Sequence, residues 1–262
     1  MLYNFKILIP DADFGLALAC VHCLTQIKRI KIYAICNENN CDIRYSRYIE
    51  HCSFHQGNDT ETSRIEKINE EIKKYDIDLI MPISEKGIEL IIKNKELINN
   101  SKILGLLPSI NSFNTAFYKD LFAKHLDKFS VSGPKTNLIN PKNDLELETM
   151  KINFPAVAKP IEGPGGGYGI VYLKNTDDLN AFLFNKECNT QYIIQEYIEG
   201  FDIGCNVLCR QGEIIEFTIQ KGNLWNKRQF SFQIGLEFIS NEEAFNLVKK
   251  LMKSLNWSGF AN

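Results

Sequence analysis

Apolar residues along the first hundred or so positions recur with two alternating periods. Short runs in which most positions are apolar, at 5–10, 31–36, 77–82 and 102–107, predict strands. Longer stretches with apolar residues three and four apart predict helices at 15–27, 60–75 and 85–99. Within 60–75, Ile65, Ile68 and Ile72 share one face. Residues 16–27 are so uniformly apolar that they predict a buried helix, whereas 37–57 is polar and reads as irregular. Strands alternating with helices at this spacing imply a parallel sheet wrapped by helices. Ligands of such sheets sit beyond the carboxyl ends of the strands.

Residues 108–114 punctuate the chain, and a helix is predicted at 115–126. From Val131 onward strands dominate, at 135–138, 156–159, 170–173, 192–197, 204–210 and 213–220. Helices are predicted among them at 144–151, 177–185 and 242–255. The expected fold class is therefore α/β plus α+β: a Rossmann-like parallel-sheet domain over 1–110, then an α+β domain over 111–262. The last residues, Trp257 to Asn262, read like the opening of a strand.

The composition of the 262 residues, 44% hydrophobic and 24% charged, is that of a globular protein. A net charge of -2 excludes a broad electrostatic footprint for nucleic acid. No apolar run reaches the roughly 18–20 residues of a membrane span, and the first residues lack the pattern of a secretory signal. With eight cysteines and no such signal, a reducing cytoplasm is expected and disulfides are not. Cys20 and Cys23 form a C-x-x-C without a second ligand pair, so they read as buried core thiols. Cys205 and Cys209, four apart on a predicted strand, read the same way.

The first strand-to-helix turn, Asp11-Ala12-Asp13-Phe14-Gly15, has one glycine where a dinucleotide fingerprint needs three. Its two aspartates would repel phosphate, so NAD or FAD binding by the usual route is disfavoured. Asp11 and Asp13 read either as contacts for a substrate amine or hydroxyl or as capping and solvated turn residues.

The strongest chemical signal lies at 154–173. Lys159 ends a strand, Gly163, Gly165, Gly166, Gly167 and Gly169 crowd the next turn, and a β-branched strand follows. Successive backbone N–H groups in a glycine loop suit anionic oxygens. No G-K-[ST] follows and no helix opens, so this is not a P-loop but a hairpin flap able to fold down on phosphates. Lys159 places an ammonium beside those phosphates. The second signal lies at 191–208, where an apolar strand runs into Gln195 and Glu196, then Ile198, then a glycine turn and Asp202. Such a strand end offers an acceptor and a backbone N–H between apolar walls, as an adenine requires. Asp202 is placed to accept from ribose hydroxyls.

In this order and spacing, the two segments resemble the ATP-grasp superfamily, and within it carboxylate–amine ligases with a carbamoyl-phosphate-synthetase-like grasp domain. The resemblance covers nearly the whole chain. It implies that 1–110 is the Rossmann-like domain preceding the grasp domain and that 111–262 is an ATP-grasp domain lacking its C-terminal part. It implies a phosphate lysine at Lys119, where Tyr118 replaces the family's usual Asp, and a second at Lys159. It assigns the flap to Gly163–Gly169, and the adenine hinge to Glu196 through its carboxylate and Ile198 through its backbone. Asp202 falls on the ribose position, with Gln195 beside the hinge. The implied partners are ATP with Mg²⁺ and small carboxylate and amine substrates, and a homodimer is compatible with the family. In the implied reaction a carboxylate oxygen attacks the γ-phosphorus and ADP leaves. The amine then attacks the resulting acyl phosphate and phosphate leaves.

The family's metal ligands follow a segment like Gly259-Phe260-Ala261-Asn262, and no Glu-x-Asn in the right context occurs before it. No metal ligand is therefore assigned, and the Mg²⁺ ligands are expected beyond residue 262. Three explanations stand open: a truncated ligase, which is favoured, a degenerate ATP-binding protein without catalysis, and a site completed by another polypeptide. Glu213 and Glu216 lie on an earlier strand and suggest edge or substrate-side roles. Lys221, Lys227 and Arg228 read as a solvated basic cluster, or as a site for an acceptor carboxylate or acyl phosphate.

Overall fold

The computed structural model describes residues 3–37, 41–55, 59–100, 103–139, 151–163, 167–184, 191–224, 227 and 230–262. The chain divides into two compact units, Met1–Ile110 and Asn111–Asn262.

In the first unit, β1 (Phe5–Ile9), β2 (Ile30–Cys36), β3 (Ile49–Phe54) and β4 (Leu79–Ile80) form one sheet in the order β3-β2-β1-β4. Every pairing is parallel. This is the mixed α/β architecture expected, with strand order turning back at β1. The helices between the strands are α1 (Ala17–Leu24), α2 (Glu61–Tyr75) and α3 (Glu85–Lys93). α2 starts where Thr60 accepts from the Ser63 amide at 3.2 Å while Ser63 Oγ accepts from the Thr60 amide at 3.2 Å. That reciprocal cap satisfies donors the first turn leaves unpaired. Ile65, Ile68 and Ile72 then enter the same core as Leu8, Tyr33, Ile35, Ile80 and Ile91. Full burial stabilises each such side chain by roughly 1.5–3 kcal/mol.

Several expectations for this unit need correction. The stretch 37–57 contains β3, an edge strand whose Glu50, His51 and Ser53 break the apolar signal because one edge of the sheet needs no apolar cover. The helix at 16–27 is shorter and not buried: only Ala17 and Val21 are covered, Leu16 is 60% exposed, and Cys23 is exposed. A uniformly apolar run carries no periodic information about which face turns inward. The helix at 85–99 ends at Lys93, with a 3-10 turn at Lys95–Leu97. The strand at 102–107 reduces, among the described residues, to a parallel bridge between Leu104 and Ile80. Gly105 and Pro108 leave little to extend a ladder there. Cys36 and Cys41 form a disulfide, against the expectation of none.

The turn after β1 is settled by hydrogen bonds. Asp11 accepts from the backbone of Ile83 at 3.0 Å, and from the amide and hydroxyl of Ser84 at 2.6 Å each. Ser84 in turn caps α3 through the Gly87 amide at 2.9 Å. Asp11 therefore ties the β1 turn to the start of α3. Burial pushes its carboxyl above the usual range, opposed by these donors. Asp13 accepts from Asn37 at 2.9 Å.

In the second unit, α4 (Ile110–Phe117) and α5 (Lys119–Lys128) replace the one helix expected at 115–126. Tyr118 is extended, with ψ 118°, and breaks them. β5 (Thr136–Ile139), β6 (Ala156–Pro160), β7 (Val171–Leu173) and, after α6 (Thr176–Phe184), β8 (Tyr192–Glu196) form an antiparallel sheet in the order β5-β8-β6-β7. Leu179 and Phe182 of α6 pack on Ala156, Ala158, Leu173 and Ile194. A second antiparallel sheet orders β9 (Ile203–Arg210), β10 (Glu213–Leu224), β11 (Gly235–Phe238) and β12 (Gly259–Ala261) as β11-β10-β9-β12. α7 (Glu242–Leu255) precedes β12, so the terminal residues do form a strand. β11 was not expected, and β10 runs on to Leu224. The helix expected at 144–151 falls on residues that, apart from Lys151, lie outside those described.

Candidate functional site

The end of β6 gathers the candidate site of the second unit. Lys159 lies on β6 and is half-buried, its ammonium donating to Gln195 Oε1 at 2.7 Å. The pairing of β6 with β8 places Lys159 opposite Ile193, and Val157 opposite Gln195. Gln195 is itself held: its Nε2 donates to Thr136 Oγ1 at 2.9 Å, and Thr136 Oγ1 donates to the Pro134 carbonyl at 3.0 Å. This chain across β6, β8 and β5 fixes the Lys159 ammonium without neutralising it, since a carboxamide carries no charge.

Lys119 reaches the same strand end from α5. Its ammonium donates to the Ile161 carbonyl at 3.3 Å, just past β6. Burial lowers the pKa of both lysines. For Lys159 the positive charge of Lys119 lowers it further, while Glu162 partly opposes the shift on Lys119. Two ammonium groups that repel each other in a partly desolvated place are a poor structural device and a good receptor for a polyanion.

The glycine turn follows. Gly163, Gly167 and Gly169 all have positive φ, of 151°, 78° and 73°. At Gly167 a side chain would also run into the Phe230 carbonyl, so the backbone itself makes the close approach. Gly165 and Gly166 lie outside the described residues.

The hinge region is placed as follows. Glu196 closes β8, and its Oε1 accepts from the Lys135 amide at 2.8 Å. Its own amide donates to the Lys135 carbonyl at 3.0 Å. That carboxylate thus pins the start of β5 to the end of β8. Ile198 is exposed, 65% accessible. Asp202 accepts from Gln233 Nε2 at 3.2 Å, and its carbonyl accepts from the Gly222 amide at 3.2 Å. Of the basic cluster, Lys221 sits 4.1 Å over the ring of Phe201, a cation–π contact, and Arg228 is outside the described residues. Glu213 and Glu216 lie exposed on β10.

Sequence reasoning missed an aromatic group at this place. Tyr172 on β7 meets Tyr197 edge-on at 5.1 Å between ring centroids. Phe230 stands 6.4 Å from Tyr172 and 6.5 Å from Tyr197. Three rings on separate segments give no periodic signal, although Tyr172 and Tyr197 both adjoin motifs already noted. Together they offer apolar walls beside the start of β6, where Tyr172 pairs with Val157 and the Tyr197 amide donates to the Pro155 carbonyl.

Among the described residues, the only group of three metal-donor side chains that converges is Cys36, Cys41 and Cys52, in the first unit. Sulfur ligands do not suit Mg²⁺, which takes oxygen. Among the described residues no three carboxylates converge. No helix among the described residues is long and apolar enough to cross a membrane.

No curated protein sequence matches the chain. Its fold is shared with solved structures at low identity. The N5-carboxyaminoimidazole synthetase of Staphylococcus aureus, complexed with ADP, matches with a TM-score of 0.70 at 17% identity, covering 99% of this chain and 66% of its own. The L-amino acid ligase of Bacillus licheniformis gives 0.63 at 16%, covering 97% and 59%. The D-alanine–D-alanine ligase of Bacillus anthracis gives 0.62 at 16%, covering 99% and 81%. The chain thus spans about three fifths to two thirds of the first two structures' length. The sequence model of the ATP-grasp domain matches residues 118–261, more than half of the chain and a span that contains Lys119, Lys159, the glycine turn, the hinge and the three rings. The chain belongs to the ATP-grasp domain family.

Proposed function

We propose that the second unit binds ATP at the end of β6 and uses it to activate a carboxylate for attack by an amine. The observation that carries this reading is the pair of half-buried ammonium groups, Lys119 and Lys159, beside the positive-φ glycines. Polyphosphate between them would relieve their repulsion and raise both lowered pKa values. Gly163, Gly167 and Gly169 let the backbone close over the phosphates. Tyr172, Tyr197 and Phe230 would wall the adenine, with Ile198 offering its backbone and Asp202 its carboxylate to the ribose. Glu196 holds the hinge strand through Lys135 and serves as the expected adenine residue by position.

The chemistry fits this arrangement. A carboxylate attacking the γ-phosphate meets two anions, and positive charge fixed in advance lowers that barrier without reorganisation. ADP departs, the amine attacks the acyl carbon of the acyl phosphate, and phosphate leaves as the amine loses a proton. Two of the similar structures are ligases named for amino acids, which makes an amino acid the first carboxylate to try.

The test is formation of ADP and phosphate with ATP, Mg²⁺ and a pool of amino acids and small carboxylic acids. ADP appearing only when both a carboxylate and an amine are present supports ligation. ATP binding without ADP formation, also in a protein extended by the expected Mg²⁺-binding strands, favours the non-catalytic ATP-binding reading instead.

A further inference from the structure

The first unit holds further chemistry, far in sequence from the lysines and glycines of the second. β2 ends at Cys36, and the parallel register sets Ala34 opposite Cys52 and Cys36 opposite Phe54. Cys36 and Cys52 therefore belong to neighbouring positions on one face, with Sγ atoms 3.8 Å apart. Cys41 arrives from the segment leading into the 3-10 turn Asp42–Tyr45, whose Ile43 is buried in the same core cluster. The three sulfur atoms all lie within 4.8 Å of one another. Cys36 and Cys41 are buried, and Cys52 is half-buried.

We propose that Cys36, Cys41 and Cys52, when reduced, form a thiolate site for one thiophilic d10 cation of the zinc type, and that the Cys36–Cys41 disulfide is its oxidised, metal-free form. The spacing is the first argument. A tetrahedral cation with metal–sulfur bonds of about 2.3 Å separates its sulfurs by about 3.8 Å, the distance between Cys36 and Cys52. The second argument is that a structural disulfide needs two cysteines, and here a third thiol is held against the pair by strand register.

The two states interconvert with balanced chemistry. A dithiol or a phosphine reductant supplies two electrons, and with two protons the disulfide becomes two thiols. Binding of a divalent cation then releases one proton from each of the three thiols. Cys20 and Cys23 take no part: they are outside the converging group, and Cys23 is exposed.

The experiment is a Co²⁺ titration of the full chain, reduced anaerobically with a phosphine, followed by displacement with Zn²⁺. The expected result is one equivalent bound, with a near-ultraviolet thiolate-to-cobalt band of three-thiolate intensity that Zn²⁺ removes. The unreduced protein gives no such band. Cys52→Ser loses one thiolate's share of intensity and weakens binding by more than the ~10–100-fold cost of a lost outer partner, whereas Cys20→Ser/Cys23→Ser leaves the titration unchanged. In the unmutated protein, Zn²⁺ slows alkylation of Cys36, Cys41 and Cys52, read by mass spectrometry, but not of Cys23. No band in the reduced protein, an equal band with the disulfide intact, a band lost with Cys20 and Cys23, or no protection of the three thiols overturns the proposal.

Discussion

Asp11 shows how one side chain decides between a binding turn and a structural one. Its carboxylate accepts from Ile83 and twice from Ser84, so it fastens the β1 turn to α3. Gly87 is required by the same arrangement, because a Cβ there would collide with the Asp11 carboxylate. Gly87→Ala is expected to cost about 1–3 kcal/mol, as overpacking does. Urea unfolding checks this, and an unchanged midpoint would contradict the contact. Lys119 and Lys159 carry the second residue-scale expectation. Their pKa values are lowered by burial, so the ligand-free protein holds them less firmly protonated than ordinary lysines. ATP favours the charged forms and raises these pKa values, so binding takes up protons as the pH approaches the lowered range. Affinity then falls as pH rises through that range, before an ordinary lysine would titrate. Calorimetry in buffers of different ionisation enthalpy measures the uptake, and no alkaline loss of affinity would argue against the lysines as phosphate ligands. Lys159, the glycines and Gln195 were legible in the sequence because they sit in two short contiguous motifs. The aromatic group and the Thr136–Gln195–Lys159 chain were not, because strand pairing assembles them from distant segments.

At the scale of elements, the turn between β6 and β7 is the device on which the nucleotide reading depends. Gly167 has φ 78° and no room for a side chain beside Phe230. Gly167→Ala is expected to cost on the order of 1–3 kcal/mol of local strain and to weaken ATP binding while the sheet of β5 to β8 remains folded. Parallel circular dichroism and ATP titration test this, and full ATP affinity would show that the turn does not approach the ligand. Elements with a strong period or a sharp cap were readable: α2 begins where Thr60 and Ser63 cap each other, and β6 ends at its predicted place within a residue. β3 escaped notice because an edge strand with polar residues does not alternate cleanly. The break at Tyr118 escaped because neither proline nor glycine marks it. The disulfide escaped because a reducing compartment was expected, and because the connection from the end of β2 to Cys41, just before the 3-10 turn Asp42–Tyr45, carries no periodic signal.

For the whole molecule, the two units place different chemistry in different folds. The first has a parallel sheet whose first turn is closed by Asp11 and beside which Cys36, Cys41 and Cys52 converge. The second has two antiparallel sheets, with the lysines and glycines at the end of β6 and the rings toward its start. The alternation of strands and helices made the parallel sheet legible, and the motif spacing made the grasp domain legible. The central claim is that the second unit is an ATP receptor built around Lys159. Titration calorimetry of ATP into the folded protein and its Lys159→Ala variant tests it most directly. The account predicts saturable one-to-one binding, weakened about tenfold or more in the variant, since a hydrogen bond to a charged group is worth about 1.5–3 kcal/mol. No ATP binding by the folded protein, or equal binding by Lys159→Ala, would contradict it.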